Sequence, residues 1–308
     1  MKPILITGYV NPDLDAVAGA IAYCEFLNKT DKNAVVGILG EPHEEAKYIL
    51  DRFNIEYPQT VSTSDDFDEV ILVDASDLIG VEDKVNPEKV IEIIDHRKVH
   101  EAEKFPNAKV QIELVGSAST LIAERFIQNN MNISKNSAIL LCGAIISNTL
   151  NFRGGVTTDR DKIAFDFLNK TAQLSSDFSK ELFSAKSDLS GDKLKERILG
   201  DLAWFNIADR KVSIAQIEMI GAKELIKERL NEIIEILEET KKEMKFGLIF
   251  QNIIDLEECK NYFVAYDNET KKLLEKILGI SFYGNIAEKN SLIMRKQIVP
   301  LLKEELER

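Results

Sequence analysis

Ile4-Leu5-Ile6-Thr7-Gly8-Tyr9-Val10-Asn11-Pro12-Asp13-Leu14-Asp15 is a short apolar run that breaks into a turn carrying two carboxylates two residues apart. Two later apolar runs end in a similar way, Val70-Ile71-Leu72-Val73 at Asp74 and Val90-Ile91-Glu92-Ile93-Ile94 at Asp95-His96. In an open parallel sheet the carboxyl ends of the strands share one edge, where ligands bind, so three acidic strand ends can converge there. Several carboxylates and one imidazole form a donor set for a divalent cation such as manganese or magnesium.

Outward from these runs, the first half of the chain alternates short β-branched segments with amphipathic ones, the pattern of a doubly wound α/β sheet. Strands are expected at Ile4 to Thr7, Ala34 to Leu39, Val70 to Val73, Val90 to Ile94 and Val110 to Leu114. Helices are expected at Ala16 to Leu27, Glu44 to Phe53, Ser119 to Gln128 and Ser137 to Thr149. The small and polar residues Lys186 to Lys193 interrupt a helical stretch and read as a linker. The domains expected are therefore 1–186, a linker at 187–193, and a smaller α/β domain at 194–308. In that second domain a strand is expected at Val212 to Ile217, a long helix from Ala222 to about Glu243, and strands near Gly247 to Asn252 and Tyr262 to Ala265. A final helix is expected after Pro300.

With 39 basic and 52 acidic side chains the formal charge is −13, which argues against binding along a nucleic-acid backbone but leaves room for a local phosphate pocket. Cys24, Cys142 and Cys259 are unpaired in spacing and indicate neither a disulfide framework nor a structural zinc site. The chain opens directly into a strand without the features of a signal peptide, and no apolar run is long enough to span a bilayer. A cytoplasmic protein is expected.

Asp13 and Asp15 also suit a plain helix-capping role, but Asp74 and Asp95 close strands and cannot cap that helix. His96 follows a strand and an aspartate, which makes it a candidate ligand with Asp95 placed to orient its ring. His43 and His100 lie in polar contexts and are assigned no role. Gly116-Ser117-Ala118-Ser119-Thr120 opens a helix and offers either a phosphate site or an ordinary N-cap. Arg295-Lys296-Gln297 offers either a phosphate clamp or a solvated helix start.

The Asn-Pro-Asp-x-Asp turn, Asp74, the Asp95-His96 pair and the Gly116-Ser117 helix start resemble the DHH phosphoesterases. Together with Ala20-Ile21-Ala22-Tyr23, Ala144-Ile145-Ile146-Ser147 and Gln297-Ile298-Val299-Pro300, they are similar to the manganese-dependent, family II inorganic pyrophosphatases. The resemblance covers essentially the whole chain. It implies two domains with the active site in the cleft between them, and a phosphohydrolase that attacks a phosphorus atom with metal-activated water. Asp13, Asp15, Asp74 and His96 match metal ligands and catalytic residues, and Arg97, Ser117, Arg295 and Lys296 are candidates for holding substrate. The implied cofactor is manganese, with magnesium or cobalt as alternatives, and the implied partner is a small phosphate-containing ligand rather than nucleic acid or membrane. A homodimer is compatible with this reading.

Several positions depart from the pattern the resemblance implies. Histidines expected in the first turn and after the strand-end Asp-His correspond to Tyr9 and Arg97, and an expected aspartate corresponds to Asn148. An expected substrate lysine corresponds to Ala203. An ungapped match sets an expected Ser-Arg-Lys on Ile293-Met294-Arg295, whereas a one-residue gap recovers Arg295-Lys296. A phenol and an amide are poorer donors than imidazole and carboxylate, and Arg97 adds a fixed cation, so one metal rather than two is compatible with these residues. Two readings stay open: a phosphohydrolase acting on pyrophosphate or another small phosphorylated compound, and a catalytically impaired homologue that binds a phosphate ligand or a protein partner. A nuclease-like enzyme for short oligonucleotides ranks below both because the chain is acidic.

Overall fold

The computed structural model describes residues 2–187, 189 and 193–307. Two compact units divide the chain, Met1–Leu182 and Phe183–Arg308. Of the expected linker, 188 and 190–192 lie outside the described residues; Leu189 is buried.

The first unit runs β1 (Ile4–Thr7), α1 (Leu14–Asn28), β2 (Ala34–Ile38), α2 (Glu44–Arg52), β3 (Gln59–Thr60), β4 (Val70–Val73), α3 (Leu78–Val81), β5 (Val90–Asp95) and β6 (Lys109–Ile112). It continues with α4 (Ala118–Gln128), α5 (Lys135–Thr149), α6 (Asp159–Ala172) and the start of α7 (Phe178–Lys186). Its sheet has the order β3-β2-β1-β4-β5-β6, and every pairing is parallel. The strand order reverses at β1, whose neighbours are β2 and β4, so the ligand crevice of such a sheet lies at the carboxyl ends of β1 and β4. Those two strands are its apolar centre: Leu5, Ile6, Val70, Leu72 and Val73 are fully buried, as central parallel strands require.

Local sequence fixes how the chain leaves these strands. A Cβ at Gly8 would lie 2.6 Å from the Ala16 Cβ and 3.1 Å from the Val73 carbonyl oxygen, so only glycine lets the turn after β1 pass this close. Asp13 caps α1, its Oδ1 accepting from the amides of Asp15 at 2.9 Å and Ala16 at 3.1 Å. With that cap the helix begins at Leu14, two residues before the expected start. Asp74 leaves β4 with φ of 56°, a left-handed conformation that is costly for a residue with a side chain and is concentrated at functional sites.

The second unit holds α8 (Lys193–Gly200), β7 (Leu202–Ile207), β8 (Arg210–Met219), α9 (Ala222–Met244), β9 (Leu248–Asp255) and β10 (Lys260–Val264). It ends with α10 (Asn268–Leu278), β11 (Phe282–Tyr283), β12 (Ile286–Lys289) and α11 (Arg295–Leu306). The sheet order is β11-β12-β10-β9-β8-β7, with β8 and β9 parallel and the other pairs antiparallel. Leu194, Ile198, Ile233 and Leu237 pack with one face of this sheet, and Leu274, Ile298 and Leu302 pack with the other. The last helix starts at Arg295 and not after Pro300, which corrects the expected boundary. Arg295-Lys296-Gln297 is its first turn, and Pro300 sits inside it at the cost of one helical amide donor. The preceding strand ends at Lys289 and does not run into Arg295. No helix among the described residues is long and apolar enough to cross a membrane.

Candidate metal centre

Asp15, Asp74 and His96 each offer one ligand atom within 4.8 Å of the others, Asp15 from the first turn of α1 after β1, and Asp74 and His96 from the carboxyl ends of β4 and β5. The His96 Nε2 lies 3.3 Å from Asp74 Oδ1 and 3.8 Å from Asp15 Oδ2. Its Nδ1 is 3.0 Å from the carbonyl oxygen of Val115. A carbonyl only accepts, so Nδ1 carries the proton, and in the neutral ring Nε2 presents a lone pair to a carboxylate oxygen. Asp74 Oδ1 is buried and has no hydrogen-bond partner among the described residues. Two carboxylates and an imidazole converging in a buried site are a donor set that fits a cation such as manganese.

The sequence reading gives Asp95 the task of orienting the His96 ring, and the structure corrects this. The Val115 carbonyl holds the ring, while Asp95 Oδ1 accepts from the backbone amides of His96 at 2.6 Å and Arg97 at 3.3 Å. Ser76 donates its hydroxyl to Asp95 Oδ2. Asp95 thus shapes the backbone that carries the ligand.

Asp15 is buried and receives five hydrogen bonds. Its Oδ1 accepts from the Ser117 hydroxyl at 2.8 Å, the Ser119 amide at 2.9 Å and the Ser119 hydroxyl at 2.6 Å. Its Oδ2 accepts from the Ala118 amide at 2.8 Å and Asn148 Nδ2 at 2.6 Å. The start of α4 therefore does receive an anion, as its amides favour, but the anion is Asp15. Ser117 caps α4 and positions Asp15.

The same arrangement links the chain to known proteins. The DHH family N-terminal domain matches residues 3–145, and the DHHA2 domain matches residues 180–305. The manganese-dependent inorganic pyrophosphatase of Bacillus subtilis is 32% identical over 305 residues, 98% of each chain. The chain belongs to the manganese-dependent inorganic pyrophosphatase family. A Clostridium acetobutylicum protein described as a probable manganese-dependent inorganic pyrophosphatase is 29% identical over 99% of this chain and 98% of its own. The crystal structure of a Methanococcus jannaschii protein assigned to the family II inorganic pyrophosphatases is 29% identical and superposes with a TM-score of 0.82. That match covers 99% of this chain and 100% of the other.

Of the positions that depart from the pattern the resemblance implies, those in the first unit, Tyr9, Arg97 and Asn148, lie at this centre. Tyr9 accepts a hydrogen bond at its hydroxyl from the Asp13 amide at 3.1 Å. Burial pushes its phenol well above the ordinary range, and Asp13 and Asp74 add to the shift, so it stays protonated and is a weak donor to metal. Arg97 donates from Nη1 to Asp77 Oδ2 at 3.2 Å and from Nη2 to the Asp74 carbonyl at 2.9 Å. In the second unit, Ala203 lies in β7 opposite Ile214 and Met294 is buried at the start of α11. Arg295 pairs through Nη2 with Asp201 Oδ1 at 2.8 Å, and Lys296 is exposed. Asp77 and Ser76 act here without having been singled out from sequence. Asp77, three residues after a strand-end acid, carried the most visible signal.

Burial raises the Asp74 carboxyl above its ordinary value; Arg97 opposes the shift, and Asp15 and Asp95 add to it. Asp13 lies well above its ordinary value, from burial first and then from the charges of Asp74, Glu45 and Asp15. An unfolded chain loses these protons near pH 4 while the metal-free folded protein keeps them to higher pH. Through that window the folded state binds more protons, so these two groups make stability fall as pH rises. A bound cation takes the place of the protons. The rise in Tm caused by saturating manganese should therefore grow as pH increases from about 4 toward neutrality. Melting curves with and without manganese across that range check this.

Proposed function

We propose that this chain is a divalent-metal phosphohydrolase that cleaves pyrophosphate, with manganese held by Asp15, Asp74 and His96. The observation that supports it most strongly is the convergence of His96 Nε2 on buried carboxylate oxygens of Asp74 at 3.3 Å and Asp15 at 3.8 Å. Manganese bound there would supply Lewis acidity toward a phosphoryl oxygen and an acidified water. The protein's own parts set the geometry. The start of α4 and Asn148 fix Asp15, Val115 fixes the His96 ring, and Asp95 fixes the loop behind it. Asp13 caps α1 beside the centre and is proposed to help hold the metal. Arg97, Arg295 and Lys296 are proposed as contacts for the phosphate groups, with Asp201 holding the Arg295 guanidinium in place. Ser117 serves by positioning Asp15.

A second reading, an impaired homologue that binds a phosphate ligand, is favoured by one contact. Asn148 Nδ2 sits 2.6 Å from Asp15 Oδ2, on the atom that would face the metal. Metal-stripped protein supplied with manganese, magnesium or cobalt distinguishes the two when offered pyrophosphate and a panel of phosphate esters. Phosphate release from pyrophosphate, fastest with manganese, is the expected result. A folded protein that binds manganese yet releases phosphate from none of them would support the second reading.

A further inference from the structure

We infer that Arg97 is the resident second cation of the centre and limits it to a single divalent ion. The inference rests on the metal reading of Asp15, Asp74 and His96. Asp74 is the pivot: its Oδ1 faces His96 Nε2 at 3.3 Å, and its Oδ2 faces Arg97 Nη2 at 3.9 Å. One carboxylate is therefore shared between the candidate ion and a guanidinium.

The guanidinium is fixed from several sides. Asp77 Oδ2 lies 3.2 Å from Nη1, the Asp74 carbonyl accepts from Nη2 at 2.9 Å, and Asp95 Oδ1 is 3.8 Å from Nε. The Tyr9 ring lies beneath it, 5.4 Å from the guanidinium carbon. Asp77 is itself held, its Oδ1 accepting from the Gly80 amide at 2.6 Å as it caps α3. Arginine cannot shed its proton in such surroundings, so the positive charge is permanent.

The other carboxylate beside Arg97 is already committed: both oxygens of Asp95 accept hydrogen bonds, from His96, Arg97 and Ser76. A second dication bridged by Asp74 would have to share Oδ2 with a guanidinium, and like charges this close in a buried site repel strongly. Arg97 neutralises the acids that such an ion would otherwise neutralise.

Titration calorimetry and electron paramagnetic resonance of the metal-stripped full chain with manganese test this. The expected result is one tight manganese per chain, with the spectrum of an isolated ion. Arg97→Gln should bind that single ion about tenfold tighter, the size of effect that one neighbouring unit charge has on a buried ionisation. Arg97→Lys, which keeps the charge, should stay near the wild-type affinity and serves if the glutamine variant fails to fold. Two tight ions per wild-type chain, or the spectrum of a spin-coupled pair, would overturn the inference and leave the metal reading intact. A folded Arg97→Gln variant with unchanged or weaker affinity would overturn it too, as would lysine binding tenfold tighter than wild type. No manganese binding at all would overturn both the inference and the reading beneath it.

Discussion

Asp74→Asn should abolish tight manganese binding while leaving the metal-free fold as stable as before, or slightly more so. The amide preserves the shape of the side chain at the end of β4. It removes the negative charge from the one buried carboxylate oxygen that has no hydrogen-bond partner among the described residues and that faces His96 Nε2. Removing even a residue that supports a ligand typically costs 10–100-fold in affinity, so loss of a ligand should cost more than about 100-fold. Stability need not suffer, because burial and the neighbouring acids Asp15 and Asp95 already hold the Asp74 carboxyl above its usual range. Calorimetry should show the lost affinity, and the manganese-induced rise in Tm should vanish. Affinity within tenfold of wild type would remove Asp74 from the centre.

Asp15→Ala should act in the opposite way, as a severe loss of stability. The Asp15 carboxylate collects the Ser117 and Ser119 hydroxyls, the Ala118 and Ser119 amides and Asn148 Nδ2, which ties α1 to α4 and α5. Truncation leaves buried donors at a helix N-terminus without an acceptor, and breaking a buried charged contact by removing one partner costs about 3–5 kcal/mol. Urea unfolding should show a lower midpoint at constant slope, the product of shift and slope giving a loss of that size. Asp15→Asn keeps one acceptor oxygen and turns only the other atom into a donor, so it should cost distinctly less. Equal, small losses in both variants would show that the serines and amides find other partners.

The contrast between these two aspartates marks what was legible in the sequence. The three strands that carry the site were readable because β-branched runs ending in acids have few alternatives, and β1 and β4 match their expected bounds. Their order in the sheet, and the reversal at β1, make the acid-bearing ends neighbours. That Asp15 is clamped while Asp74 is open was not readable, since both are aspartates near the ends of apolar runs. The helix start at Ser117 was legible as an anion site, but its anion comes from 102 positions away in the chain. The support of His96 was misread because its partner is the Val115 main-chain carbonyl, which no side-chain pattern announces.

In the second unit the long helix and the strands β8 and β9 followed from apolar periodicity, while their parallel pairing did not. The edge strands β7 and β11 did not: both lie at the rims of the sheet, where Trp204 and Tyr283 are exposed and the alternation of burial is weak. Pro300 misled the placement of the last helix, because a proline in the second turn was read as its start. Gln297 sets the true start, its Oε1 accepting from the Met294 amide at 2.9 Å. That shift makes Arg295 and Lys296 first-turn residues of α11.

His96 and Asp74 are proposed to ligate the same manganese ion. Pulsed electron paramagnetic resonance of the manganese-loaded protein decides this, because a nitrogen bonded to the ion leaves a hyperfine coupling that a merely nearby ring does not. His43 and His100, the other two histidines, lie in the α2 N-cap and an exposed loop. A directly bonded nitrogen signal that disappears in His96→Gln is the predicted result. A bound manganese ion with no nitrogen coupling, or one whose coupling survives that substitution, would contradict the account.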